Sequence, residues 1–276
     1  VFGRGGLPLS ASNTLRGGDT ATGITGVMTY TWGGYTASPN AYRVRPVNAL
    51  NGYYNFEAVN QRPAGSPART GVVRVAGMNL LNFFNTWTAC YPGNVASDCR
   101  GAENQVEYDR QLAKTVAAIV GTQADVIGVV EVENDGYGPD SALAALTNAL
   151  NAATAPGTYA YVDVDAAVGQ VRAMGTDAIM VGFLYKPGVV SLTGQTAVLN
   201  SEAFVNGGDS APRNRPALAQ AFQHVDGGVF VVSVNHLKSK GNACNAPDAG
   251  DGQGNCNQVR VNAATLLGQW LASDPT

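Results

Sequence analysis

The stretch Ala124-Asp-Val-Ile-Gly-Val-Val-Glu-Val132 is the feature that most constrains the fold of this chain. It is a continuous apolar run, too short for a membrane span and without the alternation of a strand that has one wet face. Such a run belongs to a strand buried on both faces, as sheets flanked by helices require. Amphipathic helix patterns stand on both sides of it. In ENQVEYDRQLAKTVAAIVG (103–121), Val106, Leu112, Val116, Ile119 and Val120 fall near one face, with Gly121 as the expected stop. In PDSALAALTNALNAA (139–153), Leu143, Leu146 and Leu150 form one stripe after a Pro-Asp-Ser start. VVRVAGM (72–78) reads as a preceding buried strand, so the order there is βαβα.

Beyond the second helix the chain turns mainly to strands: TYAYVDVD, DAIMVGFLYK, VVSLTGQTAVL, ALAQAFQ and VFVVSVNH. A last helix carries Val259, Ala263, Leu266, Leu267 and Trp270 on one side. Mixed sheets flanked by helices fit this order best. Residues 1–60 differ, being rich in Gly, Thr, Tyr and Asn, with short alternating stretches such as GITGVMTYTWGGY and AYRVRPV. They read as a small β-rich module, joined by a Pro/Gly/Ser linker at 61–70 to a main domain over 71–276.

Hydrophobic residues make up 45% of the 276, enough for a core, which excludes a disordered chain. A net charge of −3 offers a polyanion no global attraction, so any nucleic-acid contact must come from a local patch. That weighs against a plain DNA-binding module. No apolar run approaches a membrane span. Both ends read as trimmed, with Val1 in place of Met and Thr276 directly after a helical pattern. Four cysteines permit three pairings; Cys90 with Cys99 and Cys244 with Cys256 are the natural first choice because each pair is local and lies in a turn-rich loop. Free thiols remain the alternative. The oxidised reading implies a secreted or extracellular protein, or one in the periplasm or on the cell surface.

Polar residues close three apolar strands: Asn79, Glu131 with Glu133, and Asn235-His236. Strand ends are where mixed sheets build sites. The four lysines are Lys114, Lys186, Lys238 and Lys240, and the last two flank Ser239 just after His236. Cations beside a histidine and near carboxylates suit a phosphate diester, although a solvated Lys-rich turn would look the same. Arg213 and Arg215 lead into ALAQAF, where an arginine can hold a phosphate oxygen pair, or can simply be solvated.

RVAGMNLLNFFNTW, RGAENQVEYDRQLAKTVAAI, ADVIGVVEVENDG, TDAIMVGFLYKP, RNRPALAQAF and VVSVNHLKSKG with its GDGQGNC loop resemble, in order, the bacterial extracellular nucleases of the endonuclease/exonuclease/phosphatase (deoxyribonuclease I-like) superfamily. The resemblance spans about residues 70–272. It implies an α/β (α+β) fold, a four-layer αββα sandwich of two mixed sheets flanked by helices. It also implies a metal-dependent phosphodiesterase hydrolysing extracellular DNA, and RNA as a further substrate, by attack of a metal-positioned water.

Position by position, the resemblance implies that Glu131, six residues after Asp125, and Asn79 belong to the metal site. His236 would lie beside the scissile phosphate and Arg215 on a neighbouring one. Asp177 would hold a structural or orienting position, with Glu133, Asn134, Asn235, Lys238 and Lys240 as secondary candidates. Mg²⁺ or Mn²⁺ suits this oxygen-rich set, with Ca²⁺ as an additional structural ion. The resemblance departs in one respect: the superfamily's later Gly-Asp-x-Asn strand end and terminal Asp-His pair are absent, and Asp274 in SDPT matches neither. The expectation is therefore a C-terminally incomplete domain that lacks its general base.

The N-terminal stretch loosely resembles a partial oligonucleotide/oligosaccharide-binding-type β module; a β appendage completing the fold is the other reading. Two rival functions stand beside the nuclease. One is a sphingomyelinase-like phospholipid phosphodiesterase, disfavoured because no aromatic hairpin for membrane insertion is evident in the sequence. The other is a non-catalytic nucleic-acid-binding fragment. Neither a membrane span nor an obligate protein partner is expected.

Overall fold

The computed structural model describes residues 7–10, 13–32, 40–47, 56–61, 65–246, 250 and 252–276. Residues 33–35 of the expected GITGVMTYTWGGY stretch and 62–64 of the expected linker lie outside them. The chain divides into two compact units, Val1–Ala64 and Gly65–Thr276.

In the first unit, β1 (Thr20–Ala21) pairs antiparallel with β4 (Phe56–Glu57), and β2 (Gly26–Trp32) pairs with β3 (Asn40–Pro46). The register sets Tyr30 opposite Tyr42 and Met28 opposite Val44, and the period of two adds Trp32 to the same face. All five are exposed, and the two tyrosine rings lie 4.8 Å apart. An aromatic hairpin is therefore present, contrary to expectation. Each strand alone supplies only part of it, and cross-strand register assembles the rest.

The second unit contains β5 (Val75–Phe83), α1 (Gln105–Thr122), β6 (Val126–Glu133), α2 (Ala142–Ala153), β7 (Ala160–Tyr161) and α3 (Val164–Val168). It continues through β8 (Ile179–Tyr185), β9 (Val190–Leu199), α4 (Glu202–Asn206), β10 (Ala217–His224), β11 (Val229–Val234) and α5 (Asn257–Ala272). One sheet has the order β5-β6-β8-β7, with β5 parallel to β6 and the other neighbours antiparallel; the second is antiparallel, β11-β10-β9. The βαβ crossover through α1 accounts for the parallel pair.

The sheets meet face to face. Phe183 of β8 and Phe222 of β10 pack edge-to-face at 5.6 Å, and a Cβ on Gly128 of β6 would come within 3.1 Å of the Val234 side chain. On the outer face of the first sheet, Leu143 of α2 lies over Gly182. At the second sheet, α4 and α5 gather Phe204, Ala263, Leu266 and Trp270 around Ala217 and Leu199. Two sheets with helices outside them make a mixed α+β fold, and the amphipathic stripes of α2 and α5 are what bind the layers. Burying a single leucine or phenylalanine of this core is worth about 1.5–3 kcal/mol.

Local chemistry sets the element ends. Asn104 caps α1 by accepting from the Glu107 N–H, while Glu107 reaches back to the Glu103 N–H. The helix passes Gly121, the expected stop, and ends on Gln123 in the left-handed region (φ 56°). Ser141 caps α2 through the Ala144 N–H. The expected strand TYAYVDVD shrinks to Ala160–Tyr161, because the Asp163 carboxylate caps the Ala166 N–H and turns the chain into α3. β5 begins at Val75 rather than Val72, since the N–H and C=O of Arg74 are bound to Asp125. Cys90 is bonded to Cys99 and Cys244 to Cys256. Among the described residues no helix is long and apolar enough to cross a membrane.

Candidate functional site

Two opposed irregularities at the ends of β5 and β6 create the site. Along β6, Val130 pairs with Val181 and Val132 with Met180 of β8, so Glu131 is an extra residue, a β-bulge. On the other side, Asn79 pairs with Val130 and Phe83 with Val132, which leaves Leu80, Leu81 and Asn82 of β5 opposite Glu131. Glu131, Leu81 and Asn82 all have left-handed backbones, φ 64°, 57° and 53°. Each such residue costs about 1–2 kcal/mol when it is not glycine, a cost that concentrates at functional positions. Gln111 of α1 steadies the β5 bulge by donating to the carbonyls of Leu80 and Leu81, both at 3.0 Å.

The bulge turns the Glu131 carboxylate out of the sheet. Asn79 Nδ2 donates to its Oε1 at 2.7 Å and the Asn82 N–H to its Oε2 at 3.1 Å, while Asn79 Oδ1 accepts from the Leu81 N–H at 2.7 Å. His236, just past β11, brings Nε2 to 3.6 Å from Glu131 Oε1, and its Nδ1 is buried without a partner. Burial, reinforced by the Arg215 charge, lowers the His236 pKa, and Glu131 and Asp177 act against that.

Arg215 lies on the same side. Its N–H donates to the His236 carbonyl, its Nη2 sits 3.1 Å from Asp177 Oδ2, and its buried Nε has no partner. The other oxygen of Asp177 takes Arg100 Nη1 at 2.9 Å. Asn235 joins Asn79 in lining a cleft of about 480 Å³ between the edge strands β5 and β11. A larger cavity of about 650 Å³, lined in part by Pro67, Arg69, Arg74 and Thr122, lies at the other end of β5. Its arginines are spent on Asp125 and on backbone carbonyls.

The structure thus gathers Asn79, Glu131, His236, Arg215 and Asp177. Other candidates have partners of their own. Glu133 is buried, accepting from the Asn85 and Thr86 N–H groups, and burial followed by the neighbouring Asp135 pushes its pKa up to about 7. Asn134 is also buried, donating to the carbonyls of Gly175 and Asp177. Lys238 donates to Ser239, Arg213 pairs with Asp209, and the Lys240 stem lies against Gly254 of the second disulfide loop. Arg100 was missed by sequence reasoning; its one signal is its place directly after Cys99.

A carboxylate and a carboxamide with oxygen donors, partly open to solvent, are a sparse ligand set. Among the described residues no group of three or more His, Cys, Asp or Glu side chains could hold a metal. The pair fits a hard divalent cation that keeps most of its waters, and does not fit a soft or fully caged ion.

No protein family's sequence profile matches the chain, nor does any curated protein. Among solved structures it is similar to an endonuclease/exonuclease/phosphatase family protein from Bacteroides thetaiotaomicron, with 16% identity and a TM-score of 0.44 over 73% of this chain and 57% of that one. It is also similar to the mannosyl-6-phosphatase of B. thetaiotaomicron VPI-5482 (16% identity, TM-score 0.45, 73% and 59%). A third is the human Nocturnin catalytic domain (14% identity, TM-score 0.43, 73% and 58%). The chain spans less than three-fifths of the length of each of these three.

Proposed function

We propose that the chain belongs to a secreted, divalent-metal-dependent phosphodiesterase of the endonuclease/exonuclease/phosphatase superfamily that hydrolyses extracellular nucleic acid, DNA first. The observation that carries this reading is the pair of facing bulges that holds Asn79 and Glu131 together with His236 Nε2 3.6 Å away. Strained left-handed residues are kept there at a cost to stability, and all three side chains are of the types that hold hard cations or move protons.

Glu131 and Asn79 would hold Mg²⁺ or Mn²⁺, which when bound neutralises phosphate charge and activates water. Asn79 orients the Glu131 carboxylate through its amide, and the Asn82 N–H fixes the second oxygen. His236 presents Nε2 to an anionic oxygen beside Glu131. Arg215, aligned by Asp177, supplies charge-assisted hydrogen bonds to a phosphate. The two disulfides support an exported protein.

Plasmid nicking and oligonucleotide cleavage by the protein as its own cell produces it, with Mg²⁺ or Mn²⁺, test the reading. Glu131→Gln and His236→Ala are each expected to lower the chemical step at least about a hundredfold. Near-normal cleavage by both variants overturns it.

One observation favours a second reading, phospholipid headgroup hydrolysis: the exposed aromatic face of β2–β3 is of the kind that enters membrane interfaces. Release of headgroup from sphingomyelin vesicles, with no nicking of plasmid, would select it over the nuclease.

A further inference from the structure

We propose that Arg100 is a substrate-contacting residue, holding a second phosphate beside the one held by Arg215, with Asp177 as the post that carries both arginines. This rests on the reading of the site as one for phosphodiesters and deepens it to a polyanionic substrate gripped at two adjacent phosphates.

Asp177 gives one oxygen to each guanidinium. Oδ1 accepts from Arg100 Nη1 at 2.9 Å and from the Ile179 N–H at 3.1 Å, while Oδ2 forms an ion pair with Arg215 Nη2 at 3.1 Å. Two cations on one carboxylate leave a net positive charge, so the group as a whole still favours an anion. The post is fixed from below: Asn134 Nδ2 donates to the Asp177 carbonyl at 2.9 Å and the Asn134 N–H to that of Ala178. Asn134 follows Glu131 by three residues, which ties the post to the strand end that carries the site.

Arg100 is placed as firmly. It directly follows Cys99, and the Cys90–Cys99 disulfide packs with Phe84 on Ala178 and Ile179, the residues next to Asp177. The loop therefore holds Arg100 beside Asp177. Asp177 takes one of the five N–H donors of Arg100, and the side chain is 43% exposed, so the remainder can reach a ligand. Arg215 is 15% exposed and keeps a buried, unpartnered Nε. A structural ion pair needs no second arginine on an already paired carboxylate, whereas a substrate with two phosphates uses both.

Binding can be measured without turnover, by anisotropy of the chain in EDTA with two labelled probes: a short DNA oligonucleotide, and a dinucleotide with a single phosphodiester. Arg100→Gln is expected to weaken oligonucleotide binding about tenfold and to reduce the salt slope by about 0.7–0.9, the loss of one phosphate contact. The dinucleotide should bind as before. Arg215→Gln should weaken both probes, and Arg100→Lys should restore the salt slope while recovering affinity only in part, since a lysine lacks the bidentate fork.

Equal weakening of both probes by Arg100→Gln, or unchanged oligonucleotide affinity, overturns the proposal. So does a wild-type chain that binds no oligonucleotide. The two readings fail separately. Arg100-dependent oligonucleotide binding in a protein that hydrolyses no phosphodiester leaves the arginine pair standing and removes the activity. Normal hydrolysis with Arg100-independent binding does the reverse.

Discussion

Glu131 and Glu133 are two residues apart on one strand, and the structure gives them opposite surroundings. Around Glu131 the sheet is broken by two bulges, the backbone is left-handed, and the carboxylate is partly open to solvent, with an amide, a backbone N–H and a histidine about it. Around Glu133 the chain is closed. The side chain is buried, two backbone N–H groups hold one oxygen, and nearby Asp135 is likewise pushed up, mainly by burial, to about 6. In an unbroken strand both would have pointed to the same face. One extra residue in β6 is what separates an open mouth from a buried shelf.

The separation is most directly broken by paired substitutions. Glu131→Gln should abolish nearly all cleavage, by a factor of about a hundred or more, while leaving thermal unfolding almost unmoved. Glu133→Gln should act the other way, on stability and not on the chemical step. Similar catalytic losses in both variants, measured at saturating metal, would erase the distinction between mouth and shelf.

The shelf is continuous with the loop closed by Cys90–Cys99, since Asn85 and Thr86, which hold Glu133, run straight into it. Replacing both cysteines by alanine should cost about 3 kcal/mol on chain-entropy grounds. Denaturant unfolding reads that cost. The contact of Glu131 with Asn79 should survive it, so metal affinity is expected to stay within a few-fold of wild type; a complete loss would show that the mouth depends on the disulfide loop.

A third test uses pH. The Glu133 pKa is raised from the ordinary range to about 7 and that of Asp135 to about 6, so the folded protein holds these protons more firmly than the unfolded chain does. Their contribution is complete below about pH 4 and is lost as pH rises through 6 to 7. Between pH 5 and pH 8 the wild type should lose up to about 4 kcal/mol from this source, somewhat over half of it from Glu133. Glu133→Gln, which stays neutral, should flatten much of that slope in urea titrations. An unchanged slope would mean that Glu133 is solvated rather than shelved.

How much of this was legible depends on which forces write themselves into sequence. The apolar run of β6, the stripes of α1 and α2 and the two local cysteine pairs are statements about burial and chain proximity, and sequence carries those directly. Asn79, Glu131 and His236 are legible as polar strand ends. The bulges were not, because Leu81, Asn82 and Glu131 adopt left-handed backbones without a glycine to announce them. The same gap hid the different fates of Glu131 and Glu133. Lys238 and Lys240 read as a phosphate patch because charge is visible in sequence and direction is not; the structure sets Lys238 against Ser239, within reach of the Arg215 charge, and Lys240 against Gly254. Arg100 stayed hidden for a related reason, since its partner Asp177 lies 77 residues away.

The smallest expected effect bears most sharply on why the mouth exists. If Glu131 is held at φ 64° for its function, relieving that strain should stabilise the fold. Glu131→Gly removes the Cβ that disfavours this backbone, for a gain of about 1 kcal/mol, or a few degrees in melting temperature for a unit of this size. Against the gain stands the loss of the hydrogen bonds from Asn79 and Asn82, both at the partly solvated rim where water replaces them at little cost. The expected variant is inactive and slightly more stable than wild type, a combination that an ordinary structural glutamate does not give. A melting temperature several degrees lower would place Glu131, like Glu133, among the residues that hold the sheet end together.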